Sequence, residues 1–175
     1  MSDTEILAPK RGLWFAAVAW LAGRPWKTAV IAGTGATFTV ALLAHANGTG
    51  LLPLLIAPFG ASCALVFGAP ASPLAQPKNV VGGHVVSAFC GLLAATLVPD
   101  VMSAMALGVG LAIAGMLITE TLHPPAGANP IVIGLTHASW SFLFAPVLIG
   151  AVIVVFCGIC HHRWITRQRY GLGSR

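Results

Sequence analysis

The sequence predicts an all-α integral membrane protein with about six membrane segments, arranged as a 3+3 inverted repeat. Two observations predict the membrane class: 57% of the 175 residues are hydrophobic and only 7% are charged. A soluble domain carries about 25% charged residues, so a bilayer is the expected partner. A third observation, a repeat of the broken motif Pro-x-Gly-Ala, predicts the two halves. The net charge of +5 follows from basic residues near the chain ends, so no nucleic-acid partner is expected.

The N-terminal region is predicted to lie on the membrane surface. Its apolar run, 13–22, is too short to span and is followed by Arg24 and Lys27. Tryptophans in this stretch suit an interfacial helix. The predicted regions are a cytoplasmic N-terminus with this helix (1–27), a transmembrane domain (28–160) and a basic cytoplasmic tail (161–175).

Each half of the transmembrane domain is predicted to contain a span, a broken segment and a second span. Prolines break the middle segment because they lack an N–H and disfavour helix in the preceding residue. A simple polar loop is the alternative for the second break. The halves are 28–98 and 101–160; the continuous spans are 28–46, 80–98, 101–119 and 141–160, and the broken segments are 51–69 and 120–137.

A shift of 67 residues relates the halves, because it places Pro58–Ser62 on Pro125–Asn129 without a gap. Three membrane crossings per half reverse the orientation of the second half, as in inverted-repeat transporters. All nine Lys and Arg residues then fall on one side, which the positive-inside bias makes the cytoplasm. The sequence therefore predicts a multi-pass protein of a bacterial inner membrane with both termini cytoplasmic.

The two breaks form the predicted substrate site. Half-helices expected at 60–68 and 127–135 would point unpaired N–H groups and the positive ends of their dipoles at a small anion or a polar neutral solute. Helix capping by the same polar residues is the alternative interpretation. The predicted substrate-binding residues are Phe59, Gly60, Ala61, Ser62, Ala126, Gly127, Ala128 and Asn129.

Three ionisable residues near the breaks are candidates for proton coupling: His84, Glu120 and His123. Ionisable groups within membrane segments are costly and usually face a cavity, and histidine titrates near neutral pH. A neutral histidine bonded to a carbonyl is the alternative. No metal or cofactor is expected. The four cysteines lie in apolar runs, and the C-x-x-C-H pattern ending at His161 ends a predicted span, so neither indicates haem.

These motifs resemble the HPP family of integral membrane proteins, named for His-Pro-Pro. The resemblance rests on PFGAS (58–62), FGAPASPLAQPKNVVGGH (67–84) and TLHPPAGA (121–128). It implies four membrane spans, and an association with nitrite transport known for plant and cyanobacterial members. Some relatives carry C-terminal CBS domains, for which the residues after the last predicted span leave no room.

The expected function is a transporter or channel for a small inorganic anion, with nitrite as the first candidate, and a homo-oligomer is possible. A non-transporting membrane scaffold or sensor subunit is the alternative. An intramembrane hydrolase using Ser62 and a histidine is third, so the chain is not expected to be an enzyme. No phosphate-binding G-x-x-x-x-G-K-[ST] pattern occurs, which argues against ATP-driven transport by this chain alone.

Overall fold

The computed structural model describes residues 23–50 and 53–171, and all regular structure in these ranges is helical. The predicted interfacial helix at 13–22 lies outside them. The helices are α1 (Trp26–Gly48), α2 (Ala57–Gly68), α3 (Pro77–Leu97), α4 (Val101–Ile118), α5 (Asn129–Thr136) and α6 (Ile149–His161). Shorter 3₁₀ turns occur at Pro73–Ala75, Pro124–Ala128 and Trp140–Leu143, and π turns at Phe144–Leu148 and His162–Thr166.

Four helical stretches in the described part of the chain are long and apolar enough to cross a membrane: α1, α3, α4 and the continuous run Trp140–Thr166, which contains α6. Their mean hydropathies run from 1.6 to 2.8. This confirms the all-α membrane prediction, and four is the number that the family resemblance implied. Helix α2, with 12 residues, is a shorter apolar helix.

Both broken segments contain short helices, but these begin at residues other than those predicted. Helix α2 begins at Ala57, because Pro58 lies in the first turn, where its missing N–H has no helical partner to lose. Helix α5 begins at Asn129 after the 3₁₀ turn Pro124–Ala128. The predicted starts at Gly60 and Gly127 were therefore wrong, since these prolines start helical structure rather than ending it.

The second broken segment runs along α3. A Cβ atom on Gly83 would lie 2.7 Å from the carbonyl oxygen of Thr121, and one on Gly91 would lie 2.9 Å from Ile133 Cδ1. The chain from Thr121 to Ile133 therefore runs parallel to α3 from Gly83 to Gly91, and glycine at both places permits the close approach.

The first broken segment makes the same pair of contacts with α6. A Cβ atom on Gly150 would lie 3.3 Å from the carbonyl oxygen of Leu54, and one on Gly158 would lie 2.5 Å from Val66 Cγ1. The 67-residue shift relates the two sets of contacts. It places Leu54 and Val66 on Thr121 and Ile133, and it places Gly83 and Gly91 on Gly150 and Gly158. The inverted repeat stays a prediction, and such reciprocal contacts are what two related halves would make.

The described lysines and arginines lie at one end of the bundle. The Tyr170 hydroxyl donates to the carbonyl oxygen of Ala75 at 2.9 Å, which packs the tail against the α2–α3 connection, and burial raises the pKa of Tyr170. Asp100 lies at the opposite end, where hydrogen bonds from Ser103 cap α4 and hold the Asp100 pKa below its ordinary value. The basic residues at the first end are Arg24, Lys27, Lys78, Arg163, Arg167 and Arg169.

Candidate functional site

Four polar side chains meet in the protein interior where the two broken segments face α3. They are Ser62 of α2, His84 of α3, and His123 and Asn129 of the second break, and each has no exposed surface. We call them the polar cluster. Buried polar groups cost free energy unless hydrogen-bonded, so the partners of each atom decide what the cluster can do.

The local sequence explains how these side chains come together. The residue before a proline is biased away from helix, and His123, before Pro124, is extended with φ −135° and ψ 98°. This extended backbone lies against Gly83, where a Cβ atom would be 2.7 Å from His123 Cβ. Glycine in α3 thus lets the break approach the helix that carries His84.

Hydrogen bonds at the outer ends of the two rings fix their hydrogens. His123 Nδ1 lies 2.8 Å from the carbonyl oxygen of Leu74, which can only accept, so Nδ1 carries a hydrogen. The Asn129 amide donates to His84 Nδ1 and to the His84 carbonyl oxygen, both at 3.1 Å. His84 Nδ1 is therefore an acceptor, and the hydrogen of its neutral ring is on Nε2.

The Ser62 hydroxyl connects the two rings. Its oxygen lies 2.9 Å from His84 Nε2, 2.8 Å from His123 Nε2 and 3.2 Å from the carbonyl oxygen of Pro58. A hydroxyl donates one hydrogen and accepts with two lone pairs. Ser62 therefore accepts from His84 Nε2–H and donates its single hydrogen either to His123 or to Pro58.

These two choices correspond to two protonation states of the cluster. When Ser62 donates to His123 Nε2, His123 is neutral and the Pro58 contact carries no hydrogen. When Ser62 donates to Pro58, His123 Nε2 must itself donate, so His123 carries a hydrogen on both nitrogens and is positively charged. The cluster can therefore take up one proton on His123 without leaving any donor unpaired.

One acceptor of the cluster remains without a partner. Asn129 Oδ1 is buried and makes no hydrogen bond, although both amide hydrogens of Asn129 are used. At the same break, the Ser87 hydroxyl donates to the carbonyl oxygen of Ala126 at 2.6 Å. The atom left free at the second break is thus an acceptor, which suits a donor on a solute or a water molecule.

The other predicted substrate-binding residues surround the cluster at different depths. Phe59 packs the edge of its ring on His84, with centroids 5.1 Å apart, and Ala126 is buried. Gly60 and Ala61 are exposed, whereas Gly127 and Ala128 are half-buried. A Cβ atom on Gly60 or Gly127 would meet no atom within 4 Å. Gly60 and Gly127 therefore border open space, each two residues before a member of the cluster.

The backbone N–H groups at the breaks are mostly absent or already bonded. Pro124 and Pro125 have none, and the N–H of Ala126 donates to the carbonyl oxygen of His123 at 2.9 Å. At the first break the N–H of Phe59 donates to the carbonyl oxygen of Ile56 at 3.1 Å. Few backbone donors at the breaks are therefore left for an anion, and the polar groups of this region are mainly the side chains of the polar cluster.

Glu120, the third proton-coupling candidate, lies at the surface, away from the cluster. Helix α4 ends at Ile118, so no helical turn connects Glu120 with His123. Its side chain is 84% exposed and lies 3.5 Å from Lys78 Nζ. Exposed ion pairs of this kind contribute little stability, and the position of Glu120 gives it no contact with the rings.

Two partners of the site were not predicted from the sequence. The carbonyl oxygen of Leu74, in the α2–α3 connection, could not be found by any residue pattern, because every residue has one. Ser87 lies three residues after His84 and therefore on the same helix face, a spacing that could have indicated it. In residues 23–50 and 53–171, no three His, Cys, Asp or Glu side chains are grouped to hold a metal ion.

The apolar spans define a multi-pass integral membrane protein, and the polar cluster is buried among its helices. A sequence profile of the HPP transmembrane region matches residues 22–171, and the chain belongs to this family.

Two transmembrane proteins of Dictyostelium discoideum are similar to this chain. One is 37% identical over 124 residues, covering 66% of this chain and 40% of the relative. The other is 36% identical over 129 residues, covering 69% of this chain and 45% of the relative. The chain thus spans less than half the length of either relative. No solved structure matches it.

The polar cluster predicts that Ser62→Ala lowers the stability of the protein. The change leaves His84 Nε2 and His123 Nε2 without a partner, which costs about 1–3 kcal/mol of stability. The higher helix propensity of alanine offsets a small part of this loss. Thermal unfolding of the purified protein in detergent measures the loss. Ser141→Ala, at an exposed position, is the control and should change the stability by less than about 0.5 kcal/mol. Equal melting temperatures for the two variants would show that the hydrogen bonds of the Ser62 hydroxyl do not stabilise the fold.

Proposed function

We propose that this protein is a transporter or channel for a small inorganic anion, with nitrite as the first candidate. The observation that carries the proposal is the fully buried polar cluster at the junction of both breaks. Ionisable groups inside a membrane protein are costly and mark solute or proton pathways. Nitrite comes first because the HPP resemblance implies it.

The depth of the cluster supports this role. His84 lies about 10 Å along α3 from Pro77, at ~1.5 Å per residue, within a hydrocarbon core of about 30 Å. Substrate sites of transporters with broken helices lie near this depth, where unwound backbone is shielded by protein. Gly60 and Gly127 border open space, each two residues before a member of the cluster, and a small solute could approach there.

Proton uptake on His123 would make anion entry favourable. An anion that enters against a negative-inside potential costs about 2.3 kcal/mol per charge per 100 mV. A proton on His123 cancels that charge. The Ser62 hydroxyl can then donate its hydrogen to the Pro58 carbonyl oxygen and accept a hydrogen bond from His123 Nε2–H. Binding of the proton and of the anion would then reinforce each other.

A Ser–His hydrolase is the second candidate, because Ser62 Oγ lies within 3 Å of two histidine nitrogens. Such a pair can activate a nucleophile. Two features favour transport: Ser62 has no exposed surface, and the nearby prolines supply no N–H groups for an oxyanion. Covalent labelling of Ser62 by a fluorophosphonate probe would favour the hydrolase instead.

Uptake by proteoliposomes tests the proposed transport. Nitrite uptake should exceed that of chloride, nitrate and sulfate, and Gly127→Val should abolish it because the new side chain fills the space beside the cluster. Gly33→Val is the matched control, since a Cβ atom on Gly33 also meets nothing within 4 Å but lies on α1. Absence of uptake for every anion would favour the scaffold or sensor alternative.

The coupling role of His123 is tested by His123→Gln, which keeps a polar side chain but cannot titrate. Accumulation driven by an imposed pH gradient should disappear, while downhill exchange persists. His137→Gln, at an exposed site on the opposite end of the bundle, should behave as the unmodified protein. Full gradient-driven accumulation by His123→Gln would make His123 a structural residue only.

The orientation is proposed from the single basic end of the bundle. The positive-inside bias places this end in the cytoplasm, with both termini. Reporter fusions after Asn47 and Asp100 should read outside, and fusions after Lys78 and Arg175 should read inside. A C-terminal fusion that reads outside would refute both this orientation and the inverted repeat.

A further inference from the structure

A groove of about 600 Å³ lies between α1 and the last span, outside the polar cluster. Its walls are almost entirely apolar. On the α1 side it is lined by Phe38 and Leu42, and on the other side by Phe156, Trp164 and Ile165. The groove faces outward between two spans, so in a bilayer its occupant comes from the lipid phase.

One polar group in this groove has no partner. His161, which lines the groove, is 7% exposed, and its Nε2 atom is buried without a hydrogen bond. Gly35 holds the ring against α1, because a Cβ atom there would lie 2.8 Å from His161 Nδ1. The adjacent His162 differs: its two nitrogens bond the Thr166 hydroxyl at 2.9 Å and the Val66 carbonyl oxygen at 2.8 Å.

The depth of His161 matches the ester level of a lipid. Trp164 lies one turn beyond it and is 71% exposed, as expected of a tryptophan in the interfacial belt. From Ile165 to Phe156 the groove extends about 13 Å at ~1.5 Å per residue, close to half of the ~30 Å hydrocarbon core. Because His161 lies five residues from Phe156, or about 8 Å, the part of the groove beyond His161 has room for the headgroup-proximal half of one acyl chain of a single leaflet.

The mouth of the groove lies at the basic end of the bundle. Lys27, Arg163 and Arg167 are exposed there. Among the described residues, the acidic side chain at this end is Glu120, which is paired with Lys78. Basic pockets between spans on such a face suit anionic lipid headgroups.

We propose that this groove is a binding site for an anionic phospholipid. One acyl chain lies between α1 and the last span, and rotation of the His161 side chain, whose Nε2 atom is buried in this structure, brings Nε2–H to an ester carbonyl oxygen as donor. The phosphate lies near Arg163 and Lys27. Lipids offer acceptors at the ester level, so the interaction requires a hydrogen on His161 Nε2.

Native mass spectrometry of the purified protein, with phosphatidylglycerol or phosphatidylcholine of identical chains, tests the site. The protein should retain one phosphatidylglycerol in preference to phosphatidylcholine. His161→Phe should weaken this binding about 3- to 10-fold, as expected for one lost hydrogen bond. His161→Gln, which keeps an N–H donor, should weaken it less. Arg163→Gln should reduce the preference for phosphatidylglycerol without affecting phosphatidylcholine.

His137→Phe is the control, because His137 is exposed at the opposite end of the bundle. Equal retention of the two lipids would overturn the headgroup assignment. Unchanged retention by His161→Phe, with a melting temperature equal to that of the unmodified protein, would overturn the site itself. A lipid-resistant dimer that His161→Phe dissociates would show that a second copy of the chain fills the groove, and would also overturn the proposal.

Discussion

The hydroxyl group of Ser62 is the constraint on which the interior of this protein depends. One oxygen faces two imidazole nitrogens and one carbonyl oxygen, yet it has a single hydrogen to donate. The arrangement holds α2, α3 and the second break at one point, because each supplies a group to the same atom. In a bilayer this matters more than in water, since a ring nitrogen that loses Ser62 finds no solvent to replace it. Because the Ser62 hydroxyl has one hydrogen and two possible acceptors, His123 and Pro58, the cluster has two protonation states.

Glycine packing brings these elements close enough for the hydrogen bonds to form. At Gly83 and Gly91 the second break approaches α3, and at Gly150 and Gly158 the first break approaches α6. Membrane helices associate mainly through such close contacts, because lipid tails remove the hydrophobic drive for burial. The prolines have a different role, because Pro58 and Pro124 each lie in the first turn of helical structure, and Pro124 keeps the backbone of His123 extended. Glycines therefore set the distances, and prolines set where the backbone turns.

Much of this arrangement could be predicted from the sequence, and the failures share a cause. Length and hydropathy predict α1, α3 and α4 because a span is a local property. Residue type and repeat spacing single out Ser62, His84, His123 and Asn129 as site residues; the structure brings them together, and their role in transport stays a prediction. The positions of the helix starts were wrong because a proline is equally compatible with ending a helix and with its first turn. Glu120 was included because it is an ionisable residue near the second break, but the sequence does not show that its side chain lies at the surface. The Leu74 carbonyl group was missed because only the folded chain places it beside a histidine.

Helix α2 connects the polar cluster with the groove at the basic end. Ser62 lies in its middle, and one turn later the Val66 carbonyl oxygen faces His162 Nε2 at 2.8 Å. Phe67, the next residue, packs against the ring of His161 with centroids 5.1 Å apart. The polar cluster and the histidine pair therefore contact the same continuous helix of 12 residues. The contacts with His161 and His162 help to hold the helix from which the Ser62 hydroxyl reaches both rings of the cluster.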